Sequence, residues 1–536
     1  MMNTMNNKFL SYFRTISVGV LVSATLFFQS CSNREAATEE IGSEERAQLV
    51  VNIEGVVAEA QASGEQASIK ATGPSTVIQP QKEVSFNESI KATTSVTQQP
   101  IEQSTKDTKL NTLAATVQLP TQPMTKDYTY RVVMYNADGS FHSSTNLIAG
   151  TAGSIEVVKG RKYKWYAYSH NNKAAIPAIT DNQNPIIATT ASKDLLYASG
   201  EVTIGTSPQG QMLTQALPIT FEHKMSKISL TIDARGMGAI IKDNILVTMQ
   251  TPVSFPQGNL NLKTGVMQAN GAANYAIGDP VTFQNSANYG NAIKEASFYT
   301  IQSTGTVSLA FKHNTIDVAY FDNTTNESMI TPSTTLVSNF SATPVPGKNT
   351  NLNINLYKIG GTIDGVIWSS GSLCFENGQH YIRPVDITRL TPAFYMYSDY
   401  WLARALTPAD NATPDQVDPC TKVFPENRWR LPTEAEFQKL VARRNNTDTQ
   451  YNGNGIDNSV SFLTDEGKRV NFNPDGQRRK GSATISFPSM RGYYWSSTRK
   501  SATTFATFQT GEASLVSTID VDYTTVNKQN IRCVKK

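Results

Sequence analysis

Charge is scarce in this chain: 17% of its 536 residues are Asp, Glu, Lys or Arg, and the formal net charge is +3. That balance leaves no basic footprint for phosphates, so no nucleic acid is expected as a partner. Histidine is scarcer still, with five copies scattered at 142, 170, 223, 313 and 380. None pairs at the short spacing of a metal site, so metal: none is the expectation. His223 follows Phe221 in a strand-like stretch and reads as a structural histidine. No GxSxG elbow, HExxH helix or phosphate loop is present, which removes the common hydrolase and nucleotide-binding signatures. Carboxylates paired from distant positions are the catalytic arrangement that leaves no motif, and nothing supports one here. No enzyme activity, no catalytic residue and no cofactor is expected.

What the chain has in quantity is Asn, Thr, Ser, Gln and Gly between short alternating apolar stretches, the composition of a β-rich exported protein. Its length exceeds a single hydrophobic core and predicts roughly two to four domains. Residues 1–31 read as a targeting signal, outside the fold. Lys8 and Arg14 precede Ile16 to Phe28, a mostly apolar run too short to span a bilayer comfortably. It ends in Phe28-Gln29-Ser30-Cys31, which resembles the lipobox of bacterial lipoproteins. That resemblance implies thioether lipidation of Cys31 and a palmitate-type anchor in the cell outer membrane, since two or more acyl chains hold a protein stably. The plainer alternative is an ordinary secretory signal with a chance cysteine.

Cys374, Cys420 and Cys533 remain, and export permits disulfides. Three thiols allow one bridge and one leftover. Cys420 precedes the first C-terminal helix and Cys533 sits in the last strand, so these two are the expected bridge, with Cys374 buried or free.

Residues 32–114 are rich in Ala, Thr, Ser, Gln and Glu and hold almost no aromatics apart from Phe86. Such a stretch buries little and reads as a tether or propeptide, although Gln48 to Ile53 and Ser75 to Ile78 have strand composition. From about 115 the pattern changes. Tyr128, Tyr130, Val132 and Met134 alternate with Thr129, Arg131 and Val133, and Asn136-Ala137-Asp138-Gly139 supplies a turn. Tyr163, Trp165 and Ala167 alternate in the same way, and Asn351 to Leu356 does so strictly. Period-two alternation predicts strands with one buried face. Two antiparallel β-sandwiches are expected, at 115–216 and 217–356.

Three stretches in these blocks, Tyr130 to Gly139, Tyr163 to Ser169 and Phe221 to Ile228, resemble the FimA-type fimbrillin superfamily of Bacteroidetes pili. The resemblance implies a lipid-anchored precursor on the outer membrane. It also implies proteolytic processing by an Arg-specific protease that opens a groove for a neighbour's donor strand. The site would be after Arg46, before Ala47, or after Arg34; an arginine in such a segment is also commonly just solvated.

Residues 357–536 carry the sharpest local signals. Trp429-Arg430-Leu431-Pro432-Thr433 leads into a helix on which Thr433 and Glu436 form a capping box. Phe437, Leu440 and Val441 share one face, and Arg443 and Arg444 complement the dipole at its end. Together with Gly492-Tyr493-Tyr494-Trp495-Ser496-Ser497-Thr498 and Ile531-Arg532-Cys533-Val534, this segment resembles the C-type-lectin-like fold of two groups. One is the repeat family of Fibrobacter major paralogous proteins; the other is the formylglycine-generating, sulfatase-modifying family. The catalytic cysteine pair of the latter is missing, because Cys533 has no cysteine within a hundred residues. Asn473-Pro474-Asp475 reads as a turn rather than a sugar triplet, and Asn452 to Asn458 as turn oxygens rather than a calcium loop.

The expectation is therefore mainly β: two fimbrillin-like antiparallel β-sandwich domains followed by an α+β C-type-lectin-like domain. The expected function is an accessory or tip subunit of bacterial fimbriae supporting assembly, adhesion and virulence. Its partners would be other fimbrial subunits, by donor-strand exchange, and a host or bacterial surface protein or glycan. The alternative is an outer-membrane glycan-binding lipoprotein that joins no fibre. In the first reading a bridged terminal strand stays in its own domain, and such a subunit caps or decorates a fibre instead of extending it.

Overall fold

The computed structural model describes residues 45–57, 76–101, 122–321, 326–328, 336–376, 378–384, 399–451, 458–482, 484–511, 515–522 and 527–536. Strands dominate them, with one α-helix, Glu434–Ala442, among the described residues. The chain is mainly β.

The first sandwich is a seven-stranded sheet. Its order is Phe141–Ile148, Thr129–Asn136, Lys162–Ser169, Leu196–Thr203, Leu213–His223, Arg46–Val57, Gly153–Val158. All seven strands feed one core around Tyr130, Trp165, Ile155 and Phe221, so the sheet curls over its own apolar face. Tyr130, Val132 and Met134 point into that core, as their spacing predicts. The opposite set, Arg131, Val133 and Tyr135, is buried as well. A second apolar cluster covers it, made with Tyr168, Tyr197, Met225, Leu260 and Leu262. A strand enclosed on both faces reads as a nearly continuous apolar run, and Tyr130 to Tyr135 does.

The tether expected over 32–114 is overturned for two segments. The first strand, Arg46–Val57, lies inside the sheet, parallel to Leu213–His223 and antiparallel to Gly153–Val158. Ala47, Leu49 and Val51 face the core. Aromatics are dispensable there, because a strand flanked on both edges has its backbone bonds satisfied and gains roughly 1.5–3 kcal/mol for each buried Leu or Val. The N-terminal hairpin, Thr76–Ser85 and Ile90–Pro100, belongs to the second sandwich, where Phe86, Ile90, Ala92 and Val96 enter its core.

That second sandwich stacks two sheets. One runs Gln284–Ser286, Gly290–Thr300, Ser226–Asp233, Lys348–Ile363, then the hairpin. The other holds Ala239–Met249, Val307–Tyr320 and Leu336–Ala342. Pairing between successive strands is antiparallel, while Ser226–Asp233 and Lys348–Ile363 pair in parallel. As with the first strand, the partners lie far apart in sequence, which leaves chain enough for the crossover a parallel pair needs. The boundary between sandwiches falls after His223, where Leu213–His223 ends, rather than at 216.

The boundary expected at 356 lies within one strand. Lys348–Ile363 has 16 residues, roughly 50 Å at 3.3 Å per residue. Its first part pairs with Ile90–Pro100, and its last residues pair with Val366–Glu376. At the passage Gly361 has φ 145°, and a Cβ there would meet Thr464 Cγ2 at 2.5 Å. The C-terminal part gathers small sheets around the helix, with Trp368, Trp401, Trp429 and Trp495 fully buried. Phe437 stacks on Phe508 at 4.7 Å. The capping box is present: Glu436 N donates to Thr433 Oγ1 (3.3 Å) and Thr433 N to Glu436 Oε2 (2.8 Å).

Candidate functional site

The site with most consequence is the strand Arg532–Lys535. The closing strand, Arg532–Lys535, is paired on both edges. Ser372 faces Arg532 and Trp368 faces Val534 on one side; Arg430 faces Val534 and Trp429 faces Lys535 on the other. Just before it, Gln529 bridges to Trp401 and Asn530 to Tyr494. Arg532, Cys533 and Val534 are fully buried. The disulfide joins Cys533 to Cys420, with Cα atoms 5.9 Å apart across 113 residues. Cys420 sits in a short 3-10 turn whose cap, Asp418, accepts from Cys420 N at 3.0 Å.

Arg532 explains why a charged residue stands in a core strand. The neighbouring strand bulges between Trp368 and Ser372, so its ladder bonds lapse there. The guanidinium substitutes for them, donating from Nε to Ser369 O (3.1 Å) and from Nη2 to Ser370 O (3.3 Å), above the ring of Phe472. Burial pushes its pKa down to about 9, so it remains charged at neutral pH.

The three C-terminal sequence segments are bonded to one another. Glu434 N, an open donor of the helix start, donates to Thr498 Oγ1 at 2.9 Å, and Ser497 N donates to Pro432 O at 2.7 Å. Trp495 Nε1 donates to Trp401 O at 2.8 Å. Sequence reasoning missed a further tie, from the N-terminal hairpin. Glu83 meets both Lys535 and Arg428. Burial works against ionisation of Glu83, but the Lys535 hydrogen bond and the charges of Lys535 and Arg428 outweigh it and hold the carboxyl below its usual range. Lys468 reaches Glu88 at 3.1 Å and Ser89 Oγ at 2.7 Å.

Cys31 and Arg34 lie outside the described residues, as does most of Asn452 to Asn458. Arg46 lies inside them: it begins the first strand, opposite Val158, and its side chain is 73% exposed and pairs with Glu156 at 2.6 Å. Ala47 is flanked by Val157 and Leu213 and buried. The peptide bond after Arg46 is thus in a sheet, not in a loose segment. The next arginine in the sequence is Arg131, so an Arg-specific cut at 46 leaves the first strand seated and its groove filled.

Cys374 is buried and outside the disulfide; its Sγ donates to Asp399 Oδ1 at 3.0 Å, which also accepts from Arg383 Nη2 at 2.8 Å. His223 is buried against Asp194 at 2.7 Å, and Asn171 Nδ2 donates to the same oxygen at 3.0 Å. Asn473 to Asp475 is an irregular link between Arg469–Phe472 and Gln477–Arg479 rather than the expected turn; Tyr494 Oη donates to Asn473 O and Asn530 Nδ2 to Asp475 Oδ2. Among the described residues no group of three His, Cys, Asp or Glu is placed to hold a metal ion.

No family model matches the sequence, and no curated protein matches it. Among solved structures, similarity extends to the fimbrial anchor protein Mfa2 from Porphyromonas gingivalis, at 12% identity over 38% of this chain and 73% of that one, TM-score 0.20. A candidate cell adhesion protein from Bacteroides fragilis aligns at 13% identity over 48% and 88%, TM-score 0.28. Another from Bacteroides eggerthii aligns at 13% over 58% and 86%, TM-score 0.26. Overlaps at these scores assign neither a family nor an activity to the chain.

Proposed function

We infer that this chain is an accessory or tip subunit of a bacterial fimbrium, delivered to the outer membrane as a precursor lipidated at Cys31. Its C-terminal, C-type-lectin-like part is the outward, displayed end. The observation that carries the reading is the closing strand. A subunit that extends a fibre by handing this strand to a neighbour must surrender it. Here surrender would expose Arg532, Cys533 and Val534 and is opposed by a covalent bridge. Such a subunit caps or decorates.

The fimbrial setting itself is supported by the three fimbrillin-like stretches of sequence. Partners on this reading are other fimbrial subunits and a surface protein or glycan; no reaction and no cofactor is assigned. A neighbour's donor strand enters the first sandwich only by displacing Arg46–Val57, because processing after Arg46 does not remove it. Mass spectrometry of sheared fimbriae tests the reading. The chain is expected at low stoichiometry, and its first residue reports whether the bond after Arg46 is cut. Its absence from purified fimbriae sinks the assignment.

A further inference from the structure

The strict alternation puts Asn349, Asn351, Asn353 and Asn355 on one face of the strand, where Asn351 and Asn353 are half-buried and Asn349 and Asn355 are buried. Leu352, Ile354 and Leu356 go into the second sandwich's core. The four asparagines line the opposite face, and the register sets their neighbours. Asn351 lies between Ser229 and Thr97, Asn353 between Thr231 and Ser95. Same-face residues repeat at roughly 6.6 Å along a strand and about 4.8 Å between strands. The result is a floor of amides and hydroxyls.

A concavity of 530 Å³ opens over this floor, and a second, of 560 Å³, adjoins it and shares Lys227, Ser286, Ala287 and Glu295 in its lining. The trough over the asparagines is walled by the turn around Ser286 to Tyr289, and the second concavity lies next to it across the shared residues. Tyr289 is 52% exposed at the rim. One of its faces rests on the Arg235 guanidinium at 4.0 Å, and Phe424 supports the other side of that guanidinium at 4.1 Å. Tyr275, Tyr128 and Tyr299 line the second concavity.

We propose that this trough binds a neutral hexopyranose polymer, with the asparagine floor reading hydroxyl groups and Tyr289 stacking against a sugar ring. Charge supports a neutral ligand. Lys227 is paired with Glu295 at 2.6 Å, and Arg235 is bonded through Nε and Nη2 to Asp233, so no free charge is left to select an anion. A planar carboxamide offers a donor and an acceptor side by side, matching adjacent hydroxyls. The floor is set before binding: Asn349 Nδ2 donates to Asn351 Oδ1 (2.9 Å) and Asn353 Nδ2 to Thr97 Oγ1 (3.1 Å). These bonds fix the amide planes, which lowers the ordering cost of association. They leave Asn351 Nδ2 and Asn353 Oδ1 without a protein partner among the described residues, and both belong to side chains lining the trough. An aromatic face complements the C–H side of a pyranose ring. Both carboxylates of the trough are held in ion pairs, Asp233 bidentately with Arg235 and Glu295 with Lys227, and binding without turnover is expected.

The inference rests on the adhesive reading above for its setting, but its test does not need a fibre. The full chain, solubilised in detergent, is run in native gels containing yeast mannan, barley β-glucan or anionic polygalacturonate. Retardation by a neutral polymer and not by polygalacturonate is expected. Asn351→Ala with Asn353→Ala, and separately Tyr289→Ala, are expected to weaken that retardation tenfold or more, with unchanged far-UV circular dichroism. Absence of retardation by both neutral polymers overturns the proposal, as does retardation that the variants leave intact. Release of reducing ends would also overturn it. A chain that binds mannan yet is missing from fimbriae refutes the fimbrial reading alone.

Discussion

Replacing Cys420 and Cys533 together by alanine probes the reasoning about the chain end most directly. The bridge closes a loop spanning 113 residues. In the chain-entropy treatment a constraint of that length is worth about 5 kcal/mol, through the freedom it denies the unfolded chain. Five kcal/mol corresponds to between three and four orders of magnitude in an equilibrium constant. The native strand keeps its ladder partners in the variant, so the fold is expected to persist while its opening becomes far more frequent. A single melting temperature is a poor readout for a multidomain chain. Hydrogen exchange resolved by segment is better, because it reports opening of the strand itself. In the unmodified protein, amides at 531–535 are expected to be among the slowest to exchange; in the double variant they exchange faster by up to the stated factor. If that segment already exchanges like unstructured chain in the unmodified protein, the tail is not held and the argument for a capping subunit fails. Unchanged protection in the double variant would show that the bridge is not what holds it.

Three further outcomes are expected. Thr433→Ala removes one half of the capping box and should cost about 1 kcal/mol, read as a lowered urea midpoint of the C-terminal transition, whereas Thr433→Ser should cost little. Burial lowers the pKa of His313 to about 4 from an ordinary 6.5, so the unfolded chain takes up a proton that the folded one refuses. Stability is then full above pH 6.5 and falls as pH drops from 6.5 to 4, by about 3 kcal/mol for this group; His313→Gln should flatten that part of a urea-midpoint against pH curve. Arg-specific proteolysis of the folded protein should be slow after Arg46, since its carbonyl lies at the start of a paired strand, and where it occurs the product should keep residues 47–57 in the sheet; rapid cutting after Arg46 would refute the strand's placement.

Much of the C-terminal part was legible because its signals are local. Thr433 and Glu436 announce a helix start within four residues, and the structure has that cap. The alternation at Tyr130, Val132 and Met134 predicted strands facing a core. It did not reveal that Val133 and Tyr135 are covered too, since their cover comes from Leu260 and Leu262, more than a hundred residues away. Residues 46–57 and 76–100 were misjudged for a related reason: their composition is weak on its own, and neighbouring strands supply what it lacks. The polar trough was half visible. The spacing of Asn349 to Asn355 marks one face as apolar and one as amide, but the tyrosine rim arrives from the turn before Gly290–Thr300.

By itself the sequence determined that strongly alternating stretches such as 130–135 and 351–356 are strands, where the helix begins, and that residues such as Leu352 and Asn353 go to opposite faces. These follow from steric and hydrogen-bonding preferences acting over a few residues. Tertiary structure alone decided which strand lies beside which: the parallel seat of Arg46–Val57, the strand Lys348–Ile363 running through an expected boundary, and Arg532 filling a bulge in its neighbour. Partner choice is settled by the summed burial and backbone pairing of segments hundreds of residues apart, and no short window of sequence holds that sum.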